Sequence, residues 1–249
     1  MAAPVGRLMA KFRVKSPAEL VQRTHQAFVR LPYESQPERT AEELGRLLAA
    51  LKECMFGDVE EHASRENALA VAREACATGL VSELVDALGL LDFEARKDAA
   101  DVFCGVMRVG DADGGRPGAA YLEAHPGVVP TLLDGYDRAE VALNCGAMLR
   151  EAARHEAVAG RLLGDLLDDL LARAQSPEFE VAADAFATLK DALTRHRALA
   201  AARLADPGAG VLARYRALLE SRDNVTRRQA ARRLGQLLCD RANVKAMML

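Results

Sequence analysis

The chain contains no tryptophan, and aromatic residues make up only 4% of its 249 positions. It also has no excess of charge of one sign, because 33 Lys and Arg face 36 Asp and Glu, for a net charge of −3. No overall field therefore favours nucleic acid or an anionic membrane. Alanine and leucine dominate instead, and half of the residues are hydrophobic, which suits tightly packed helices.

Cysteine usage and the N-terminus indicate a reducing compartment. The cysteine count is odd and no C-x-x-C pair occurs, so free thiols are expected. The N-terminal 15 residues lack the apolar region of a signal peptide, and no run approaches the ~18 apolar residues of a membrane span. We therefore expect a soluble, cytoplasmic protein. The five cysteines are Cys54, Cys76, Cys104, Cys145 and Cys239.

Motifs for catalysis and metal binding are missing as well. The chain has no phosphate-binding loop, nucleophile elbow or dinucleotide fingerprint, and its five histidines show no ligand spacing with the cysteines. Residues 111–114 resemble the start of an EF-hand loop, but Gly115, Arg116 and Leu122 stand where such a loop needs a ligand, a glycine and a glutamate. We therefore expect no metal, no cofactor and no enzymatic activity.

A two-helix unit occurs four times along the chain. In each unit an apolar helix ends in a cluster of apolar residues, and a second helix carries a polar residue at a matching place. The clusters cover residues 84–88, 129–133, 167–171 and 215–219. The polar residues are Asp98, Asn144, Asp184 and Gln229, which stand 46, 40 and 45 residues apart. This period predicts an all-α, right-handed armadillo- or HEAT-like solenoid, and such stacks offer extended concave surfaces to protein partners.

Helix signals in the first part of the chain define the domain boundaries. Ser16-Pro17-Ala18-Glu19 predicts a capping box and a helix over 17–31. Further helices are expected over 38–55 and 65–78, the last ended by Gly79. We expect residues 1–15 to form a flexible arm and residues 16–249 to form one repeat domain. That domain is expected to be truncated at its C-terminus, because it ends on apolar residues without a polar capping repeat.

Two features are candidates for partner binding. The first is Phe179, which opens a repeat helix just after Pro177; it either packs in the core or is exposed as a docking contact. The second is a basic cluster, which is either a solvated helix face or an anchor for a carboxylate or an aromatic side chain. The cluster contains Arg227, Arg228, Arg232, Arg233, Arg241 and Lys245.

The second helices of the repeats carry a family resemblance. The relevant segments are 93–98, 140–156, 184–196 and 225–241, together with the start at 15–21. In order and content they closely resemble the MO-twenty-five family, also called calcium-binding protein thirty-nine. The resemblance covers essentially the whole chain from Lys15 onward.

The resemblance implies a non-enzymatic scaffold of armadillo-like repeats that acts in cell polarity or growth signalling. Such proteins bind a STRAD-like pseudokinase or a sterile-twenty-type kinase and stabilise its active conformation. They grip the kinase fold on the concave surface, and they hold a C-terminal Trp-Glu-Phe peptide of the partner in a pocket. Phe179, Arg228 and Arg241 match family positions tied to partner binding.

Two departures from the family pattern are visible. Val244 stands where the family usually has a phenylalanine, and the family continues for roughly two further repeats beyond Leu249. These departures keep a second hypothesis open, a generic armadillo-type adaptor whose partners are not kinases. The two hypotheses differ in whether Arg228 takes part in partner binding.

Overall fold

The structure, a computed structural model, describes residues 16–35, 37–57, 61–239 and 243–244. Within these ranges every regular element is an α-helix or a short 3-10 helix, and none is a strand. The predicted all-α helical-repeat fold is thereby confirmed. Residues 1–15, for which the sequence predicts a flexible arm, lie outside the described residues, and so does Arg241.

The described helices follow one another with short connections. Those that begin before residue 130 are α1 (Pro17–Arg30), α2 (Pro37–Phe56), α3 (Glu61–Thr78), α4 (Leu80–Asp86), α5 (Phe93–Arg108), α6 (Pro117–Ala124) and α7 (Val128–Asp134). The later ones are α8 (Ala142–Ala152), α9 (Glu156–Leu162), α10 (Leu167–Arg173), α11 (Phe179–Arg195), α12 (Arg197–Ala205), α13 (Val211–Leu219) and α14 (Asn224–Leu238). None of these described helices has the length and apolar character that a bilayer crossing requires.

The helix boundaries follow the local signals in the sequence. The Ser16 hydroxyl accepts a hydrogen bond from the Glu19 amide at 3.2 Å and so caps α1. Gly79 has φ = 84°, a left-handed conformation that glycine adopts without steric cost, and it separates α3 from α4. The predicted helix over 17–31 ends one residue earlier, at Arg30, because Leu31 begins a 3-10 turn that contains Pro32.

The chain divides into two compact units, Met1–Thr131 and Leu132–Leu249. In the N-terminal unit α2 packs along α5, while α1 and α3 cover α2. Leu44, Leu48 and Leu51 recur at steps of three and four on α2, and all three are completely buried. The core of this unit therefore lies along α2.

In the C-terminal unit α11 is the central helix. It packs against α8, α9, α10, α12 and α14. Its inner face carries Val181, Ala185, Phe186 and Leu189, which are buried and follow the helical period. The predicted repeat unit is confirmed here, since the apolar clusters 167–171 and 215–219 lie on α10 and α13, and the longer helices α11 and α14 follow them.

Candidate partner-binding site

Phe179 is the first residue of α11 and is 67% exposed. It lies only about 20° around the helix from the buried Phe186, seven positions on, so its exposure reflects its place at the very start of α11 and not an outward-facing side of the helix. Of the two alternatives for Phe179, core packing is wrong, because the side chain is exposed, and its role as a docking contact stays a prediction.

A groove of about 310 Å³ lies beside Phe179, between the first turns of α11 and of α14. We call it the α11/α14 groove. Its walls are residues 175–177 before α11, Phe179, Ala182, Ala183 and Phe186 on α11, the cap residue Asp223, and Val225, Thr226 and Gln229 on α14. Val225 is 48% exposed and, together with Phe179, gives the groove an apolar rim. The groove can therefore take an apolar side chain from another molecule.

Arg228 lies on α14 beside groove residues in the sequence, and it is not itself a wall of the groove. It follows Val225 by three residues and precedes the groove residue Gln229, so all three lie within one turn of the helix. Arg228 is exposed, and within the described part of the chain its guanidinium forms no hydrogen bond or ion pair. Such a side chain is available for a carboxylate of a partner.

Two other arginines of the basic cluster hold hydrogen bonds, whereas Arg232, like Arg228, is exposed and forms none among the described residues. Arg227 donates to the Ser221 carbonyl oxygen at 2.9 Å and also to the Asn224 side chain. Arg233 donates to the Gln236 side-chain oxygen at 2.8 Å. The cluster is therefore heterogeneous, and the local bonding distinguishes Arg228 from Arg227 and Arg233.

Arg241, the third residue that the sequence singles out, lies outside the described residues, so its place in a peptide pocket stays a prediction. Val244 is described and is partly buried. The structure brings Phe179 and Arg228 to the N-terminal ends of α11 and α14, because Phe179 is the first residue of α11 and Arg228 the fifth of α14. That end is the opposite one from Val244, which follows the C-terminus of α14.

The matching polar residues Asp98 and Asp184 prove to be structural. The Asp98 carboxylate accepts from Lys52 of α2 at 2.9 Å. Asp184 accepts from the Tyr136 hydroxyl at 2.6 Å and forms an ion pair with Arg150. Both aspartates therefore connect a repeat helix to an earlier element of the same unit.

The network around Asp184 was missed by sequence reasoning. Burial and the adjacent Asp184 carboxylate raise the pKa of Tyr136 above its ordinary value, so the phenol stays protonated and donates. Tyr136 also lies 3.1 Å from the Thr188 hydroxyl, one turn further along α11. A single tyrosine in a short 3-10 turn, 48 residues before its partner, gives no recognisable spacing signal.

A second groove, of about 410 Å³, lies in the N-terminal unit between α2 and α5. We call it the α2/α5 groove. Its walls are Glu42, Gly45, Arg46 and Ala49 on α2, and Asp92, Glu94, Ala95 and Asp98 on α5. Most of its larger side chains are charged, in contrast to the α11/α14 groove.

The loop that resembles an EF-hand is closed by its own side chain. Asp111 accepts a hydrogen bond from the Gly115 amide at 2.5 Å, and its own amide donates to the Gly115 carbonyl oxygen at 2.9 Å. The Asp111 carboxylate also lies 3.5 Å from Arg73. Across the described residues no group of three or more histidine, cysteine, aspartate or glutamate side chains could hold a metal ion.

Comparison with known proteins identifies related chains. A family model described as Mo25-like matches residues 8–249. The degreening-related gene dee76 protein of Auxenochlorella protothecoides is 48% identical over 229 residues, which cover 92% of this chain and 71% of that protein. The calcium-binding protein 39-like protein of Homo sapiens is 35% identical over 237 residues, covering 94% and 69%. The Mo25-like protein of Schizosaccharomyces pombe is 30% identical over 236 residues, covering 94% and 71%.

Proposed function

Since the chain belongs to the Mo25-like family, we propose that it is a non-catalytic scaffold for a protein kinase. Its partner would be a STRAD-like pseudokinase or a sterile-twenty-type kinase. The scaffold would stabilise the active conformation of that partner in cell polarity or growth signalling. This is the role that the sequence resemblance implies for the family.

The observation that carries the proposal is the α11/α14 groove with Arg228 beside it. An exposed aromatic ring, an apolar rim and an arginine without a partner among the described residues lie near the N-terminal ends of two adjacent helices. Interfaces between proteins concentrate their binding energy in such aromatic and arginine side chains. The arrangement suits a partner surface that presents an apolar side chain next to a carboxylate.

A second contact of the same scaffold would be a C-terminal Trp-Glu-Phe peptide of the partner. Arg241 would pair with the glutamate or with the terminal carboxylate, as a guanidinium does with carboxylates in general. Val244 replaces the phenylalanine that is usual in the family, so we expect this contact to be weaker than in other members. A cytoplasmic location follows from the kinase partner and agrees with the buried free thiols of Cys54, Cys104 and Cys145.

Binding of the isolated kinase domain to this chain tests the proposal. We expect Phe179→Ala and Arg228→Glu each to weaken the affinity about tenfold or more, measured by titration calorimetry. Arg227→Glu is the matched control, because it makes the same charge change at the next position, where the guanidinium is already engaged. Kinase activity at saturating scaffold provides a second readout. An unchanged affinity in both groove variants, with both proteins folded, would refute the proposed site.

The peptide contact is measured separately. A fluorescent peptide that ends in Trp-Glu-Phe should bind more tightly than the same peptide ending in Trp-Ala-Phe, and Arg241→Glu should remove that difference. Equal binding of both peptides would exclude the pairing of Arg241 with the glutamate.

A generic adaptor with non-kinase partners is the second candidate. The replacement at Val244 favours it, because one contact of the kinase-peptide mode is altered. In that case Arg228→Glu would leave binding of the physiological partner unaffected. The kinase domain would then show no affinity for the unaltered chain.

A further inference from the structure

Two serine-proline pairs occur in the sequence, Ser16-Pro17 and Ser176-Pro177, and there is no threonine-proline pair. A serine followed by proline is the minimal target of proline-directed protein kinases, which add a phosphoryl group to the serine hydroxyl. Both pairs stand at the start of a helix, α1 and α11, so the sequence alone does not distinguish them. The structure does, because the two serines differ in how they are joined to the helix that follows.

Ser16 is part of the first turn of α1. Its hydroxyl accepts a hydrogen bond from the Glu19 amide, and its carbonyl oxygen accepts one from the Leu20 amide, both at 3.2 Å. Pro17 is already the first residue of the helix. Protein kinases bind the target serine and its neighbours as an extended segment, so the first turn of α1 has to unwind before Ser16 can react.

Ser176 lies outside the helices, in the connection between α10 and α11. Pro177 and Glu178 are also non-helical, and Glu178 already has an extended backbone with φ = −77° and ψ = 111°. Gln175, Pro177 and Glu178 are exposed, and Ser176 is partly exposed. A kinase can therefore bind this segment while α11 keeps its first main-chain hydrogen bond, from the Ala182 amide to the Glu178 carbonyl oxygen.

The hydrogen bonds of Ser176 are local. Its hydroxyl accepts from the Glu178 amide at 3.2 Å, and its own amide donates to the Arg173 carbonyl oxygen at 3.0 Å. Both partners lie within three residues of Ser176 in the sequence. Releasing these two hydrogen bonds therefore opens the connection without separating α11 from the helices that it packs against.

Ser176 is also a wall of the α11/α14 groove. The same groove contains the Asp223 carboxylate, which accepts from the Thr226 amide at 2.7 Å. A phosphoserine carries a charge of about −1.5 to −2 at pH 7. Such a charge at the rim disfavours the entry of an apolar side chain and repels a carboxylate of the partner.

We propose that Ser176 is a phosphorylation site for a proline-directed serine/threonine kinase, and that its phosphate closes the α11/α14 groove. The Ser176 Oγ attacks the γ-phosphorus of ATP, the bond from that phosphorus to the bridging oxygen breaks, and ADP leaves. The hydroxyl proton passes to a base of the modifying kinase. The modification itself needs no partner, whereas its effect on the affinity for a kinase domain rests on the proposed function.

Phosphorylation is measured on the folded full chain in the absence of a partner. An active mitogen-activated protein kinase and ATP are added, and peptide mass spectrometry follows the phosphate on each serine with time. Short synthetic peptides that contain each serine-proline pair give the rates without folded structure. Relative to its peptide, we expect Ser176 to react at least about tenfold faster than Ser16, because only Ser16 has to release a helix cap and a helical hydrogen bond.

Pro177→Ala is the matched variant, since it keeps the Ser176 hydroxyl and removes the proline that the modifying kinase recognises. It should slow phosphorylation of Ser176 and leave that of Ser16 unchanged. The proposed site is overturned if Ser176 stays unmodified in the folded chain while its peptide reacts. It is also overturned if Ser16 reacts as fast as Ser176 relative to the peptides.

The effect on the groove is measured by titration of the phosphorylated and unmodified chains with the partner kinase domain. We expect phosphorylation to weaken the affinity about tenfold or more. In Ser176→Ala, treatment with the modifying kinase should leave the affinity where it was before treatment. Equal affinity of the phosphorylated and unmodified chains would overturn closure of the groove alone. Absence of binding by the unmodified chain would sink the proposed function and the effect on affinity together, while the mass spectra still decide the modification.

Discussion

The α2/α5 groove and the α11/α14 groove are built from the same helical positions but differ in chemistry. On the first helix of each, the walls follow the spacing i, i+3, i+4 and i+7. These residues pair as Glu42 with Phe179, Gly45 with Ala182, Arg46 with Ala183, and Ala49 with Phe186. On the second helix the pairs are Asp92 with Asp223, Glu94 with Val225, Ala95 with Thr226, and Asp98 with Gln229.

The shared positions show that helix packing repeats the shape of the groove. Both second helices begin with an aspartate cap, and each carboxylate accepts from the amide three residues on, Ala95 at 2.8 Å and Thr226 at 2.7 Å. The side chains that fill the remaining positions differ. Glu42, Glu94 and Asp98 make one groove charged, whereas Phe179, Val225 and Gln229 make the other apolar or neutral. The repeat thus provides the shape of a binding groove, and a few substitutions decide which partner chemistry fits it.

The largest difference that we expect between the units concerns stability. Asp98 and Asp184 hold matching places and are similarly covered, with side chains 17% and 14% exposed. Their partners differ, because Lys52 is 40% exposed, whereas Arg150 is 28% exposed and Tyr136 is buried. We predict that Asp184→Ala lowers the free energy of unfolding by about 3 kcal/mol, because it strands Arg150 and Tyr136 in a partly buried site. Asp98→Ala should cost less than about 1 kcal/mol. Urea denaturation measures both, and equal losses would contradict the assignment.

Placing the charged side chains of one groove at the matching positions of the other tests which groove binds the partner. Phe179→Glu combined with Val225→Glu gives the α11/α14 groove the carboxylates that the α2/α5 groove has at those places. We predict that this double variant binds the kinase domain about 30-fold more weakly, because an apolar contact is replaced by charge. Glu94→Val is the matched control in the other groove and should change the affinity little. A strong effect of Glu94→Val and none of the double variant would reverse the assignment.

The aspartate cap that occurs at each groove should contribute less to the free energy of unfolding. Asp92→Ala removes the acceptor for the Ala95 amide and is expected to lower the free energy of unfolding by about 1 kcal/mol. Asp92→Asn keeps an oxygen in the same place, so it should retain most of the stability. Thermal or urea unfolding of the three proteins provides the measurement. If Asn and Ala cost the same, the cap has no role beyond its charge.

The smallest expected effect is the pH response of α14. The Thr226 amide, which donates to Asp223, lowers the pKa of that carboxyl below its ordinary value. A lowered folded-state pKa means that the cap stabilises fully above the unfolded pKa, about 3.9, and that this is lost as the pH falls through the folded value. Hydrogen-exchange protection of the first turn of α14 should therefore decline below about pH 4. Asp223→Asn does not titrate, so a decline of equal size in that variant would rule out this cause.

Local signals account for much of what could be predicted. Ser16 and Gly79 act over three or four residues of chain, so their effect on helix ends is readable without any tertiary knowledge. The repeat period and the family resemblance could also be predicted, because each depends only on the order of residues in the chain. Phe179 was ambiguous, because an aromatic residue at the first helical position suits a core as well as a surface.

Hydrogen-bond and ion-pair partners that are distant in sequence could not be predicted from the sequence. Tyr136 and Asp184 are 48 residues apart, and Lys52 and Asp98 are 46 residues apart. Both separations are close to one repeat, yet the residue types at the two ends differ from unit to unit. No periodic pattern of residue types in the sequence therefore predicted these hydrogen bonds.

The sequence by itself determined the helices, their caps, the repeated unit and the membership of a family, because these depend on contacts between near neighbours and on the order of residues. The tertiary structure alone decided that Phe179 faces solvent and that, among the described residues, Arg228 has no partner and the buried Asn243 Oδ1 has no donor. These properties depend on which faces the packed helices cover. Whether a polar group finds a hydrogen-bond partner, and whether an apolar group is buried, is decided only when helices that are distant in sequence pack together.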